Sequence, residues 1–85
     1  MTEHLLHNLG RALRTRREAA GYSQESYADA IGMHRTYYSA IERGEKNLQL
    51  DTLERICAGL KCRMWEVLKE AEAHTSGTPK SVSTS

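Results

Sequence analysis

Apolar residues along this chain recur at helical rather than strand spacing, and the pattern predicts five short helices. Residues 4–20 place Leu6, Leu9, Leu13 and Ala20 near one stripe, and Gly21 stops that helix. Ser23 is a good cap for a second helix at about 24–31, which buries Tyr27, Ala28 and Ile31. A full capping box calls for Glu or Gln at position 26, where Ser26 stands instead. Gly32 ends that helix. The third, at about 34–43, buries Tyr38 and Ile41 and stops at Gly44. After a loop at 45–50, Asp51 reads as the cap of a fourth helix, with Glu54 able to reach back and Leu53, Ile56 and Leu60 as its stripe. Gly59 inside that helix costs roughly 1 kcal/mol against Ala, which a close approach of two helices explains. A fifth helix, about 64–73, offers Met64, Trp65, Val67 and Leu68. The expected fold is a compact, all-α, five-helix domain over residues 1–74. The tail from Thr75, TSGTPKSVSTS, is Ser/Thr-rich with little to bury and is expected to be disordered. No strand signal and no internal repeat stand out.

Length and composition narrow the functional classes. Eighty-five residues make one small domain with no room for a usual catalytic cleft, so an enzyme is not expected. Nothing has the length and apolarity of a membrane span, and the start Met-Thr-Glu-His lacks a basic-then-apolar signal, so a cytoplasmic setting is expected. Cys57 and Cys62 lie five residues apart and so are offset around a helix, which argues against a local disulfide or a C-x-x-C site and for two small core or surface hydrophobes. His4 and His7 are spaced to share a metal, but His34 and His74 are too far along the chain to complete a site; no cofactor, metal or small-molecule ligand is expected.

The net charge of +1 counts mildly against a nucleic-acid partner, yet the charges are unevenly distributed. Arg11, Arg14, Arg16 and Arg17 crowd one segment and Arg35, Arg43 and Lys46 another, while Glu54, Glu66, Glu70 and Glu72 come late. On the third helix, Arg35, Ser39 and Arg43 follow i, i+4, i+8 with Thr36 beside them, opposite Tyr38 and Ile41. Such a helix suits the major groove: Arg pairs bidentately with guanine, and Ser and Thr hydroxyls bond base edges. Gln24, at a helix start, is placed to reach a phosphate, and Lys46 and Asn47 suit backbone contacts. Glu42 leans inward and needs a cation, for which Arg17 is the best candidate. The charge balance leaves open a helical protein–protein adaptor with no nucleic-acid role.

Three stretches, LGRALRTRRE, SQESYADAIGMHRTYYSAIERGEKN and LDTLERICAGL, resemble the phage-repressor-like helix-turn-helix regulators of the Xre family. The second and third together look most like the small controller proteins of restriction–modification systems. The resemblance implies a DNA-binding transcription regulator acting as a homodimer on a palindromic operator, with half-site centres roughly 34 Å apart. It implies base contacts from Arg35, Thr36 and, further along, Ser39 and Arg43. It assigns phosphate contact and bracing to Gln24, backbone positioning to Tyr37 and Asn47, and a structural ion pair to Arg17 and Glu42. Leu60, Trp65 and Leu68 would supply the dimer contact. The chain departs from the family's pattern at His34, where a Ser, Thr or Asp cap is usual, at Arg16, a normally apolar position, and at Tyr38, often a branched aliphatic. An antitoxin that binds both DNA and a toxin is a further alternative.

Overall fold

The computed structural model describes residues 2–74, so the predicted disorder of the Ser/Thr-rich tail falls outside the described residues. Five α-helices follow in order: α1 Thr2–Ala19, α2 Gln24–Ala30, α3 Arg35–Glu42, α4 Leu50–Gly59 and α5 Met64–His74. No strand occurs among the described residues. The α1 helix packs along α5 and across α3, while α2 sits against α3 in the two-helix unit.

All five helices contribute to one core. Leu9, Ala12 and Leu13 from α1 meet Tyr27 and Ala28, Tyr38 and Ile41, Leu53, Ile56 and Cys57, and Val67 and Ala71. Each fully buried large aliphatic stabilises by about 1.5–3 kcal/mol. Tyr27 and Tyr38 stack edge to face with ring centres 5.6 Å apart, and the Tyr27 hydroxyl donates to the Ile56 carbonyl at 2.5 Å. That bond ties α2 to α4 and answers the polar end of a buried ring. Gly59 allows this approach: a Cβ there would collide with the Tyr27 hydroxyl, the close contact anticipated from its place in the helix.

Local signals mostly act as expected, with instructive exceptions. Gly21, Gly32 and Gly44 all have positive φ just beyond a helix. Ser23 accepts from the Ser26 backbone N–H at 3.0 Å, and the Ser26 hydroxyl accepts in return from the Ser23 N–H at 3.0 Å. A serine thus closes the capping box expected of a longer side chain. Asp51 is not the cap of α4. That helix begins at Leu50 after Gln49, whose side chain makes no cap bond, so Asp51 lies inside the first turn. There its negative charge still complements the helix dipole. Ile31 is only half-buried, and Ala20 lies exposed past the end of α1, because the apolar stripe of α1 runs through Leu9, Ala12 and Leu13 and gives way to Arg17.

The cysteines do not sit on one continuous helix. The α4 helix ends between them, Lys61 adopts a left-handed conformation at φ 59°, and the Cys62 N–H donates back to the Cys57 carbonyl at 3.0 Å. Cys57 is buried, as expected of a small core residue, and Cys62 half-buried.

Candidate nucleic-acid interface

The α3 helix is anchored from behind. Arg17 of α1 grips Glu42 with two parallel bonds, Nε to Oε2 at 2.7 Å and Nη2 to Oε1 at 3.1 Å. Both side chains are buried, so this is the ion pair the sequence called for. Arg17 also donates from Nη1 to the Tyr22 carbonyl at 2.7 Å, fixing the α1–α2 corner. Gln24 donates from Nε2 to Glu42 Oε1 at 2.8 Å. The buried Tyr38 hydroxyl faces the same carboxylate, though its geometry falls short of a full hydrogen bond. Burial pushes the Glu42 carboxyl up, but the bonds from Arg17 and Gln24 outweigh it and hold the group below its usual range. Desolvation, with the carboxylate beside it, pushes the Tyr38 phenol well above its ordinary value. The end of α3 can lie this close to α1 because Gly10 has no side chain: a Cβ there would strike the Glu42 carbonyl oxygen.

The other side of α3 faces solvent. Arg35 and Thr36 are exposed, as are Arg43, Lys46 and Asn47. Ser39 is half-buried and accepts from Arg43 Nη1 at 2.6 Å, so these two residues are joined rather than independently displayed. Tyr37 is half-buried with its ring packed against the core, which leaves only part of it to touch a partner. Gln24 is half-buried with its amide on Glu42. The helix start at His34 has no side-chain cap bond, in keeping with that position's departure from a Ser, Thr or Asp cap.

Three neighbours of this face were not singled out in the sequence. Glu25 lies 3.4 Å from Arg35, and Glu45 3.0 Å from Arg43, so the arginines at the start of α3 and at its C-cap each have a carboxylate at hand. The bond to Glu45 raises the Arg43 pKa, and the bond from Arg43 lowers that of Glu45. Arg55 of α4 reaches the Ile31 and Gly32 carbonyls, both at 3.4 Å, beneath the α2–α3 turn. Glu25 and Arg55 are separated from their partners by 10 and 24 residues, beyond any helical period. Glu45, two residues past Arg43, was within reach of a local reading.

Trp65, near the start of α5, is 61% exposed, and Leu50, at the start of α4, is 70% exposed, while Leu60 and Leu68 are half-buried against the core. Of the three residues offered for self-association, Trp65 stands outermost. Arg16, at its normally apolar position, pairs with Glu70 at 2.5 Å and links α1 to α5. No group of His, Cys, Asp or Glu suited to a metal ion is found among the described residues. No helix among them is long and apolar enough to cross a membrane.

Two helices joined at a glycine turn, the second buttressed by a buried ion pair and exposed to solvent on its arginine-bearing side, define a DNA-binding helix-turn-helix protein. A family model described as helix-turn-helix matches residues 13–64, and the chain belongs to that family of DNA-binding regulators. The control protein C.MunI of a Mycoplasma species is 46% identical over 57 residues, covering 67% of this chain and 77% of that one. Among solved structures, the clp gene regulator ClgR from C. glutamicum aligns with TM-score 0.80 and 31% identity, covering 87% of this chain and 96% of that chain. The restriction–modification controller C.Esp1396I, solved as a tetramer on its natural 35 base-pair operator, aligns with TM-score 0.70 and 33% identity, covering 79% and 92%. Membership of this family displaces the adaptor reading.

Proposed function

We propose that this regulator is a restriction–modification controller that binds a palindromic operator as a homodimer, each subunit laying α3 in the major groove. The observation that carries the reading is the outward pair Arg35 and Thr36 on a short helix held rigid from behind by Arg17, Glu42 and Gln24. In this reading Arg35 bonds a guanine edge, and Thr36, Ser39 and Arg43 complete the base-facing set. Lys46 and Asn47 hold the phosphate backbone, with Tyr37 steadying the register. Gln24, at the start of α2, reaches a phosphate with the part of its amide that Glu42 leaves available. The likeness to C.MunI and to the operator-bound C.Esp1396I supports the controller assignment. Self-association through Trp65, with Leu60 and Leu68 beside it, rests on the exposed indole, since aromatic anchors are enriched at interfaces. Residues 1–74 form the DNA-binding and dimerising unit. A cytoplasmic setting follows from the partner, and the reading assigns no catalytic step.

The test uses the full chain, genomic fragments from upstream of its own gene, and scrambled duplexes of equal length, titrated at two salt concentrations. A controller binds its own upstream fragment far more tightly than the scrambled duplex, and both affinities fall as salt rises. Equal affinity for both duplexes defeats the reading. In sedimentation velocity, Trp65→Ala shifts the protein towards monomer; an unchanged dimer places the interface elsewhere.

A further inference from the structure

We propose that Cys57 and Cys62 form a dithiol site that a hydroperoxide closes into an intrachain disulfide across the end of α4. The sequence places a cysteine at each of two positions that a helix terminus forces together. With Leu60 as the C-cap and Lys61 left-handed, Cys57 and Cys62 hold the positions whose side chains touch in a Schellman turn. Both bonds of that turn are present: Cys62 N–H to the Cys57 carbonyl at 3.0 Å, and Lys61 N–H to the Ala58 carbonyl at 3.1 Å. A disulfide needs its α-carbons roughly 4.4–6.8 Å apart, and a direct backbone hydrogen bond between the two residues brings theirs close. In this turn the two side chains leave neighbouring backbone positions on the same side of the helix end, where residues so placed commonly touch.

Access sets the order of events. Cys62 is half-buried and meets solvent first, while Cys57 lies in the core. Burial pushes the Cys57 thiol up to about 12, which leaves the more accessible Cys62 as the sulfur that meets the oxidant. The Cys62 thiolate attacks one peroxide oxygen; an S–O bond forms, the O–O bond breaks, and the leaving hydroxide or alkoxide takes a proton. The Cys57 sulfur, giving its proton to solvent, attacks the resulting sulfenic sulfur. The S–S bond forms, the S–O bond breaks, and the second hydroxide leaves as water. Two thiols lose two electrons, and the peroxide accepts them. The site lies at the α4–α5 corner, apart from the arginine-bearing face of α3, and does not depend on the assignment of an operator.

The full-length protein is treated with one equivalent of hydrogen peroxide, alkylated and cut with trypsin. Cleavage after Arg55, Lys61 and Arg63 separates the cysteines, so a bridge appears as the peptide 56–61 joined to 62–63. The expected result is this linked pair, formed independently of protein concentration and lost on treatment with dithiothreitol. Cys57→Ala leaves a sulfenic acid at Cys62 that dimedone traps, and Cys62→Ser leaves Cys57 reduced. Oxidation of wild-type Cys62 to the sulfinic acid with Cys57 still open to alkylation after denaturation overturns the proposal. A disulfide-linked dimer in place of the intrachain link does so equally.

Discussion

Behind α3 and in front of it the same two residue types meet, with different physical meaning. Arg17 and Glu42 face each other at 2.7 Å with only 7% and 2% of their side chains exposed, joined by Gln24. Arg35 and Glu25 sit 3.4 Å apart with 63% and 73% exposed. The buried pair cannot fall back on water if one partner is lost; the exposed pair can. One pair therefore fixes where the helix stands, and the other leaves its arginine available to a ligand.

The contrast predicts its largest effect at the buried pair. Arg17→Met should lower stability by about 3–5 kcal/mol, because Glu42 is left charged and unpaired. Arg17→Met combined with Glu42→Leu should recover most of that loss, since two apolar groups no longer need each other. Urea unfolding of the two variants checks this. A single variant that unfolds at the wild-type midpoint removes the buttress from the account. The same carboxyl sets a pH dependence. Its folded-state pKa lies below the ordinary carboxyl value of 4.5, so its contribution is complete above that value and drains away as pH falls below it. Unfolding midpoints of the wild type should decline through that range, and the double variant should show a shallower decline.

The next effect moves to the front. Arg35→Ala should leave the urea midpoint nearly unchanged but weaken binding to the upstream DNA by about 1–3 kcal/mol and relax its base preference. Mobility shifts against single-base operator variants read both. If affinity drops equally for every variant while the preference persists, Arg35 meets a phosphate rather than a base.

How far each region could be read from the residues follows the same division. The five helices were legible because their signals are local: apolar spacing, a serine cap, glycines after the last turn. The buried pair was legible because Glu42 falls on the inward side of a short helix, where a carboxylate demands a cation, and the family resemblance points to Arg17. The start of α4 was misread because Asp51 is as good a first-turn residue as a cap, and local chemistry does not separate the two. The turn that brings the backbones of the two cysteines together was not legible, because it depends on Lys61, a non-glycine residue turned left-handed, which no spacing rule announces. Glu25 was missed for a third reason. Its contact with Arg35 is made by the angle between two helices, and that angle is a property of the packed core.

The smallest effect is the most discriminating about that front pair. Glu25→Gln should change stability by less than about 1 kcal/mol, since exposed pairs contribute little. Its effect on DNA binding depends on what the carboxylate does to Arg35. At 3.4 Å and largely exposed, the contact is too loose to aim a guanidinium, so Glu25 acts chiefly as a negative charge near the phosphates and a competitor for the arginine. Removing it should tighten binding a few-fold at low salt, with the gain shrinking as salt rises, because the repulsion it relieves is screened. Binding that weakens instead, most strongly on the preferred sequence, means that Glu25 holds Arg35 ready for its base. The exposed pair would then serve recognition much as the buried pair serves the helix.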